Sequence, residues 1–252
     1  MNKLEYAERN SIARGVWNVS PSIYKVISFA CAKLLKTENT EWAEIDYKEL
    51  LSVLGLKDGT ETRKIYKQAL ESAFSAYIEY EIEPDTWIKQ HWFSNLEYKK
   101  DWQRCRFRFN PDLVPYLREK NNFFVKNLHD ISQLKSSYAI TYYTIGQSYF
   151  GLAGKGGNKA GEWFFYLSVD KLRKVLAVKK DEYLDNYEFF RRCVKAPVDE
   201  INKKKLDFTI SVEKVKEKKT IIGYKFLCSS NNMAWHQFVN ELKQTNRISN
   251  II

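Results

Sequence analysis

The sequence is short of the residues that usually announce chemistry. Its three histidines, His91, His129 and His236, stand far apart, and no H-x-H or H-E-x-x-H occurs. A divalent-metal site built on histidine therefore has no candidate cluster of ligands. The four cysteines, Cys31, Cys105, Cys193 and Cys228, include no C-x-x-C pair. That spacing excludes a zinc ribbon and fits packing thiols in a reduced, cytosolic protein. G-x-S-x-G is absent too, so there is no nucleophile elbow. No apolar run approaches the roughly 18 residues of a membrane span. The opening MNKLEYAERN lacks the apolar stretch of a signal peptide. The expectation is a cytoplasmic protein that is not an enzyme, with no cofactor, no metal and no membrane contact.

Glycine is scarce and unevenly spread. Five of the ten glycines fall in GLAGKGGNKAG, from Gly151 to Gly161, with Lys155 and Lys159 among them. A phosphate-cradling loop needs G-x-x-x-x-G-K-[ST], and a dinucleotide turn needs G-x-G-x-x-G. Neither spacing is met, because Tyr149 stands where the first needs glycine and Lys159 where the second does. The stretch reads as a connector, with its two lysines a minor candidate for contact with phosphate groups.

What the sequence does have is positive charge in one place. The net charge is +10, yet residues 1–130 carry 20 Lys+Arg against 19 Asp+Glu. Residues 131–252 carry 21 against 12. A basic half of this kind draws polyanions, nucleic acid above all.

Hydrophobic periodicity gives the two halves one plan. Ser20-Pro21 opens a helix with a hydroxyl cap and a first-turn proline. Ile23, Val26, Ile27, Ala30 and Leu34 follow at helical spacing. Asp46-x-x-Glu49 starts a short helix that ends near Gly55. A third helix runs over 60–75, with Ile65, Ala69, Leu70, Ala73 and Phe74 as its inner face. Strands are expected over 76–83, 86–98 and 102–110, the last with QRCRFRF alternating charge and apolar residue. In the second half, a helix is expected from Ser132 to about Phe150, then a strand at EWFFYL. Ser168 caps a helix to about Ala177, a longer helix spans 185–204, and two strands flank a turn at EKK. EWAEIDYKELLSVL and EWFFYLSVDKLRKVL align with a one-residue gap. Ile45, Asp46, Leu50, Val53 and Leu54 then match Leu167, Ser168, Leu172, Val175 and Leu176. The fold class expected is α+β: tandem winged-helix domains, each of three helices and a β-hairpin wing. Their bounds are 1–125 and 126–228. A tail at 229–252 brings Trp235, Phe238, Val239 and Leu242 onto one helical face.

In such a fold the third helix enters the major groove. Here that helix reads YEFFRRCVKAPVDEINKKK. At ~100° per residue, Tyr187, Phe190, Val194, Pro197 and Ile201 face inward. Glu188, Arg192, Lys195 and Asp199 face outward, with Arg191 on the flank. Arginine there pairs with guanine O6/N7, and Glu188 accepts from cytosine N4. Pro197 requires the helix to kink or restart. Arg173, Lys174, Lys179 and Lys180 suit phosphates, which position the protein without reading sequence. The wing adds Lys214, Lys216, Lys218 and Lys219. In the first half, Arg63, Lys64 and Lys67 on the third helix and Arg104, Arg106 and Arg108 on a strand form a second candidate surface. The near-neutral balance of that half makes a protein interface a competitor there.

These residues resemble the iteron-binding plasmid replication initiators. The resemblance rests on SSYAITYYTIG, LSVDKLRKVL and KAPVDEINKKKLDFTISVEKVKEKKTIIGYKFLC. Within the last, the family features are a P-x-x-E-I-N-like run at Pro197–Asn202 and a strand ending in x-F at Gly223–Phe226. It implies two winged-helix domains on direct repeats of double-stranded origin DNA, opening of an A/T-rich segment, and recruitment of the host initiator and replicative helicase. It also implies a homodimer in equilibrium with monomer, a dimer surface within 1–125, and repression of the protein's own promoter. By position, the recognition segment is Glu188–Lys195. Two other readings stand beside it: a winged-helix repressor with no initiator role, and a rolling-circle initiator that nicks DNA with a tyrosine. The isolated histidines count against the last.

Overall fold

A computed structural model describes residues 5–37, 40–118, 123–155 and 158–231. The expected tail helix, with Trp235, Phe238, Val239 and Leu242, lies outside the described residues. The chain divides into two units, with the break between Gln133 and Leu134.

The first unit opens with β1 (Glu5–Arg9) and a one-turn helix α1 (Asn10–Ala13). Helix α2 (Pro21–Leu35) follows, then β2 (Trp42–Asp46), α3 (Tyr47–Val53) and α4 (Thr60–Phe74). Four strands come next: β3 (Tyr77–Glu83), β4 (Thr86–His91), β5 (Phe93–Tyr98) and β6 (Arg104–Phe109). A short α5 (Val114–Leu117), β7 (Phe123–Asn127) and α6 (Leu128–Gln133) complete it. The three-stranded sheet has the order β2-β6-β5, all antiparallel, and its wing is the β5–β6 hairpin. β3 and β4 form a separate hairpin, and β1 pairs with β7.

The caps foreseen from sequence are in place. Ser20 Oγ accepts from the Ile23 amide at 3.4 Å, and Asp46 Oδ1 from the Glu49 amide at 3.1 Å. Helix α3 ends in a Schellman motif: the Gly55 amide donates to Ser52 O and the Leu56 amide to Leu51 O. Gly55 supplies the left-handed residue this needs, at φ +65°. In β6 burial alternates, with the arginines outside and Cys105, Phe107 and Phe109 inside.

Three expectations for this unit change. The inner stripe of α4 is Tyr66, Ala69, Leu70 and Ala73. Ile65 and Phe74 flank that stripe and stand exposed. The strand expected over 86–98 is two strands in two sheets, parted at the fully buried Trp92. The Trp92 amide donates to Ala76 O and its carbonyl accepts from the Asn110 amide, so its backbone serves both. The unit's break falls after Gln133 instead of at 125, because β7 pairs with β1 and α6 packs on α2. In this unit Lys126 is fully buried, its ammonium 2.9 Å from the Tyr24 hydroxyl and over the Trp17 and Tyr24 rings.

The second unit repeats the plan without the extra hairpin. Helix α7 (Ser137–Tyr149) leads to β8 (Glu162–Ser168) and α8 (Val169–Val175). The third helix is composite: α9 (Asn186–Phe189), a π turn over Phe190–Lys195, and α10 (Ala196–Lys204). Strands β9 (Phe208–Glu217) and β10 (Thr220–Ser230) close a sheet of order β8-β10-β9. This is the first unit's order again, the last strand lying between the other two. The matched pair Asp46 and Ser168 are both N-caps of seven-residue helices, and Leu50 and Leu172 are both fully buried. Gly223 is required where β10 meets β8, since a Cβ there would stand 2.6 Å from Leu167 O.

Two expectations change here as well. Helix α7 starts after Ser136, whose Oγ accepts from the Ala139 amide; Ser132 lies in α6 and donates to His129 O. The third helix buries Phe189, Cys193, Val194, Pro197, Val198 and Ile201, while Tyr187 stands 68% exposed. A π turn holds about one residue more per turn than an α-helix. It therefore rotates the N-terminal half relative to any face drawn at uniform spacing. Pro197 sits in the first turn of α10, directly after the π turn, where the hydrogen-bond register of the helix changes.

The glycine stretch joins α7 to β8, as expected of a connector. Gly154 and Gly161 take left-handed φ of 70° and 76°. Asn158 Nδ2 donates to Leu152 O at 3.2 Å and Lys155 O at 2.9 Å, tying the two limbs together.

Candidate nucleic-acid interface

The helix-turn-helix of the second unit is built from a few local bonds. Helix α8 ends in a Schellman motif like that of α3: the Ala177 amide donates to Lys174 O and the Val178 amide to Arg173 O. Ala177 occupies the left-handed position at φ +53°, where the first unit has glycine. Arg173 then holds the turn that follows. Its guanidinium donates to the carbonyls of Lys179 at 2.9 Å, Glu182 at 2.6 Å and Tyr183 at 3.2 Å, and lies over the Phe189 ring. Arg118 does the same in the first unit, with the carbonyls of Leu34, Thr37 and Thr40. Arg173, expected on phosphate, is thus a tie inside the fold, its charge spent on peptide carbonyls.

Asp185 caps the third helix, its Oδ1 accepting from the Tyr187 and Glu188 amides at 2.9 Å each. One outward row follows. Glu188 accepts from Arg191 at 2.8 and 3.1 Å and from Arg192 at 2.9 Å. Those two partners, Arg191 first, hold the Glu188 carboxyl down at about 2. Arg191 is pushed up in return, chiefly by Glu188 and more weakly by Tyr187. One turn on, Lys195 pairs with Asp199 at 2.5 Å. Two arginines share one carboxylate, so the row keeps a net positive charge where a groove would lie. The far end of the helix is fixed by its motif residues. Asn202 makes a two-way bridge to Ile210, 2.8 Å in each direction, and Glu200 accepts from the Lys135 amide. The P-x-x-E-I-N run therefore fastens the helix to β9 and to the start of α7.

The wing is the β9–β10 hairpin. Lys214, Lys216, Lys218 and Lys219 are all exposed along it, and Lys218 sits at the turn with φ +55°. Lys214 lies 4.1 Å over the Phe190 ring, and Phe190 stacks on Tyr224. These contacts join the base of the wing to the π turn of the third helix. Lys174, Lys179 and Lys180 are exposed beside the turn, with Lys179 3.9 Å from Glu182.

The first unit presents a different surface. Arg63 is gripped by Asp58 at 2.7 and 2.8 Å. Arg104, Arg106 and Arg108 each face an acid: Asp46 at the end of β2 at 3.5 Å, Glu97 on β5 at 3.4 Å and Glu41 just before β2 at 2.8 Å. Arg106 also covers the Trp42 ring. The outer face of this sheet is a ladder of cross-strand ion pairs, which explains the neutral balance of the unit. Lys64 and Lys67 border a cleft of about 170 Å³, with Trp102 of the wing turn as its wall.

The thiols take no part. Burial pushes Cys105 up to about 12 and Cys193 to about 11, and raises Cys228 as well. Among the described residues no group of three or more His, Cys, Asp or Glu is placed to hold a metal ion. No helix of the described residues is long and apolar enough to cross a membrane. Sequence reasoning missed the exposure of Tyr187 and the structural use of Arg173, Glu200 and Asn202. A helical wheel of uniform pitch hides the first, and only the fold distinguishes a carbonyl from a phosphate as an arginine's partner.

Two sheets of identical strand order, each behind a helix-turn-helix and one of them strongly basic, define a tandem winged-helix protein. The chain belongs to the initiator replication protein family. Residues 5–147 match the model described as Initiator Replication protein, WH1, and residues 168–228 that described as Initiator Rep protein, WH2. Among solved structures, the chain is similar to the Pi initiator protein in complex with iteron DNA. That match has 18% identity and a TM-score of 0.73, covering 92% of this chain and all of that one. Domains 2 and 3 of RctB align at 10% identity and a TM-score of 0.49, over 84% of this chain and 81% of that one. No curated protein sequence matches the chain.

Proposed function

We propose that the protein is a plasmid replication initiator that binds direct repeats of double-stranded origin DNA through the third helix of its second unit. The observation that carries this is the outward row of Arg191, Arg192 and Lys195, braced by Glu188 and Asp199 on a helix anchored at both ends. Family membership supports it, as does the fold shared with an initiator whose structure is described with iteron DNA. Arg192 and Arg191 read bases, while Lys174, Lys180 and the wing lysines Lys216, Lys218 and Lys219 lie on phosphates.

The same reading extends to what surrounds binding. The protein acts in the cytoplasm without catalysis, opens an A/T-rich segment, and hands it to the host initiator and helicase. The first unit carries the homodimer contact, in equilibrium with monomer, and the dimer represses its own promoter. The neutral ion-pair ladder of that unit suits a protein contact better than a phosphate backbone.

DNase I footprinting of the region flanking the gene tests the core of this reading. Protection of tandem repeats, abolished by Arg192→Ala on cognate duplex but little changed on random duplex, is the expected result. Equal loss on both duplexes would remove Arg192 from base reading. For the non-enzymatic part, supercoiled origin plasmid is incubated with protein and Mg²⁺ or Mn²⁺. A nicked product carrying covalently attached protein would make it a rolling-circle enzyme instead.

A further inference from the structure

Leu184 and Tyr187 are the two most exposed large apolar side chains among the described residues, at 77% and 68%. Single exposed apolar residues are ordinary and carry no message. These two flank Asp185, whose double hydrogen bond fixes the first turn of the third helix. Their exposure also departs from the usual use of the position. A residue just before an N-cap commonly packs on the fourth helical residue, stapling the chain entry. The fourth residue here is Phe189, buried and covered by the Arg173 guanidinium. Leu184 is thereby released from the staple and points to solvent.

The surroundings select an occupant. Tyr187 stands one turn before Arg191, with Arg192 and Lys195 beyond and exposed Lys179 and Lys180 on the preceding turn. The nearby acids Glu182, Asp185 and Glu188 are engaged by Lys179, by helix amides and by the two arginines. An apolar patch beside these cations therefore suits a polyanion that shows carbon at its surface. In duplex DNA that carbon is the thymine C5-methyl, the one apolar group on the major-groove edge of a base pair. The first residues of the second helix in a helix-turn-helix are those that meet base edges.

We propose that Leu184 and Tyr187 form an apolar reader of thymine methyl groups, setting an A·T preference next to the base pairs read by Arg191 and Arg192. The inference rests on the DNA-binding reading above and adds which bases the second unit selects. Each methyl buried is worth about 0.8 kcal/mol, or roughly a four-fold change in affinity.

The test uses the full chain and its cognate repeat, with each thymine replaced in turn by deoxyuridine, which removes only the methyl. At one or two positions the wild-type protein should lose about four-fold in affinity. Tyr187→Ala or Leu184→Ala should bind the thymine and deoxyuridine duplexes alike at those positions, and Tyr187→Phe should keep the difference. Deoxyuridine tolerated everywhere by the wild type, or costing the same in wild type and both alanine variants, would overturn the inference. So would alanine variants that leave DNA binding intact and change only the sedimentation of the protein, which would make the patch a protein contact. Preference for the unmodified repeat over random duplex is measured alongside. If it is absent, the repeat-binding reading itself falls; if it survives without methyl dependence, only this inference does.

Discussion

Arg192 places its Nε 2.9 Å from Glu188 Oε2, the same oxygen that Arg191 holds at 2.8 Å. The carboxylate thus sets the direction of two guanidinium groups before any DNA arrives. Glu188→Ala frees both arginines to follow the nearest phosphate. Affinity for random duplex should rise, its dependence on log salt should steepen by about one unit, and preference for the cognate repeat should fall. Titrations by fluorescence anisotropy at several salt concentrations check all three.

The same pair predicts a pH response. The Glu188 carboxyl, at about 2 in the folded protein, lies below its ordinary value. Its ion pairs are therefore complete above the ordinary carboxylate range and are lost only as the pH falls towards about 2. Between about pH 5 and 8 the cognate preference should not depend on Glu188 protonation. A carboxylate-like inflection in that window, absent from Glu188→Gln, would contradict the assignment.

Lys218 supplies a charge from a left-handed turn position that glycine occupies at lower cost. Lys218→Gly should reduce affinity uniformly across sequences and flatten the salt slope by about one unit. It should do so without lowering the melting temperature, which separates a lost phosphate contact from a damaged hairpin.

The paired Schellman motifs make opposite predictions. Ala177 at φ +53° bears a steric cost of about 1 kcal/mol that glycine would not. Ala177→Gly should raise stability by about that amount, and Gly55→Ala should lower it by about as much, read by urea denaturation.

Arg173 makes three carbonyl bonds with a planar fork, a geometry that one lysine ammonium does not reproduce. Arg173→Lys should loosen the segment from Lys179 to Tyr183 and weaken cognate and random binding together. Hydrogen exchange of those amides should quicken, while the first unit's amides remain unchanged.

Much of this is legible in the sequence, and the exceptions share a cause. Ser20, Asp46 and Ser168 show as caps because a hydroxyl or carboxylate before an amphipathic run has a local job. RCRFRF and EWFFYL show as strands because alternation is local too. Ser132 and Ser136 are equally good caps in isolation, and only the packing of α6 on α2 selects the second. A constant 3.6-residue pitch turns Tyr187 inward, but the helix it is drawn on contains a π turn. The charges of RCRFRF are visible, but which acids stand opposite them depends on the pairing: Glu97 across the hairpin, and Glu41 and Asp46 far back in the sequence. The outward row at Glu188, Arg191, Arg192 and Lys195 is legible because all four lie within two turns of one helix.

The π turn has a further meaning for how such a protein changes over generations. In an unbroken α-helix, the azimuth of Arg191 and Arg192 would be locked to that of Val198 and Ile201 beneath them. The turn over Phe190–Lys195 sets a different angle between the two. One residue gained or lost there swings the reading half by about a quarter of a revolution, while Asn202 keeps the other half moored to β9. Because Phe189, Cys193 and Val194 are buried on that same half, such a change would also turn core side chains out, so the π turn and the buried face hold each other in register.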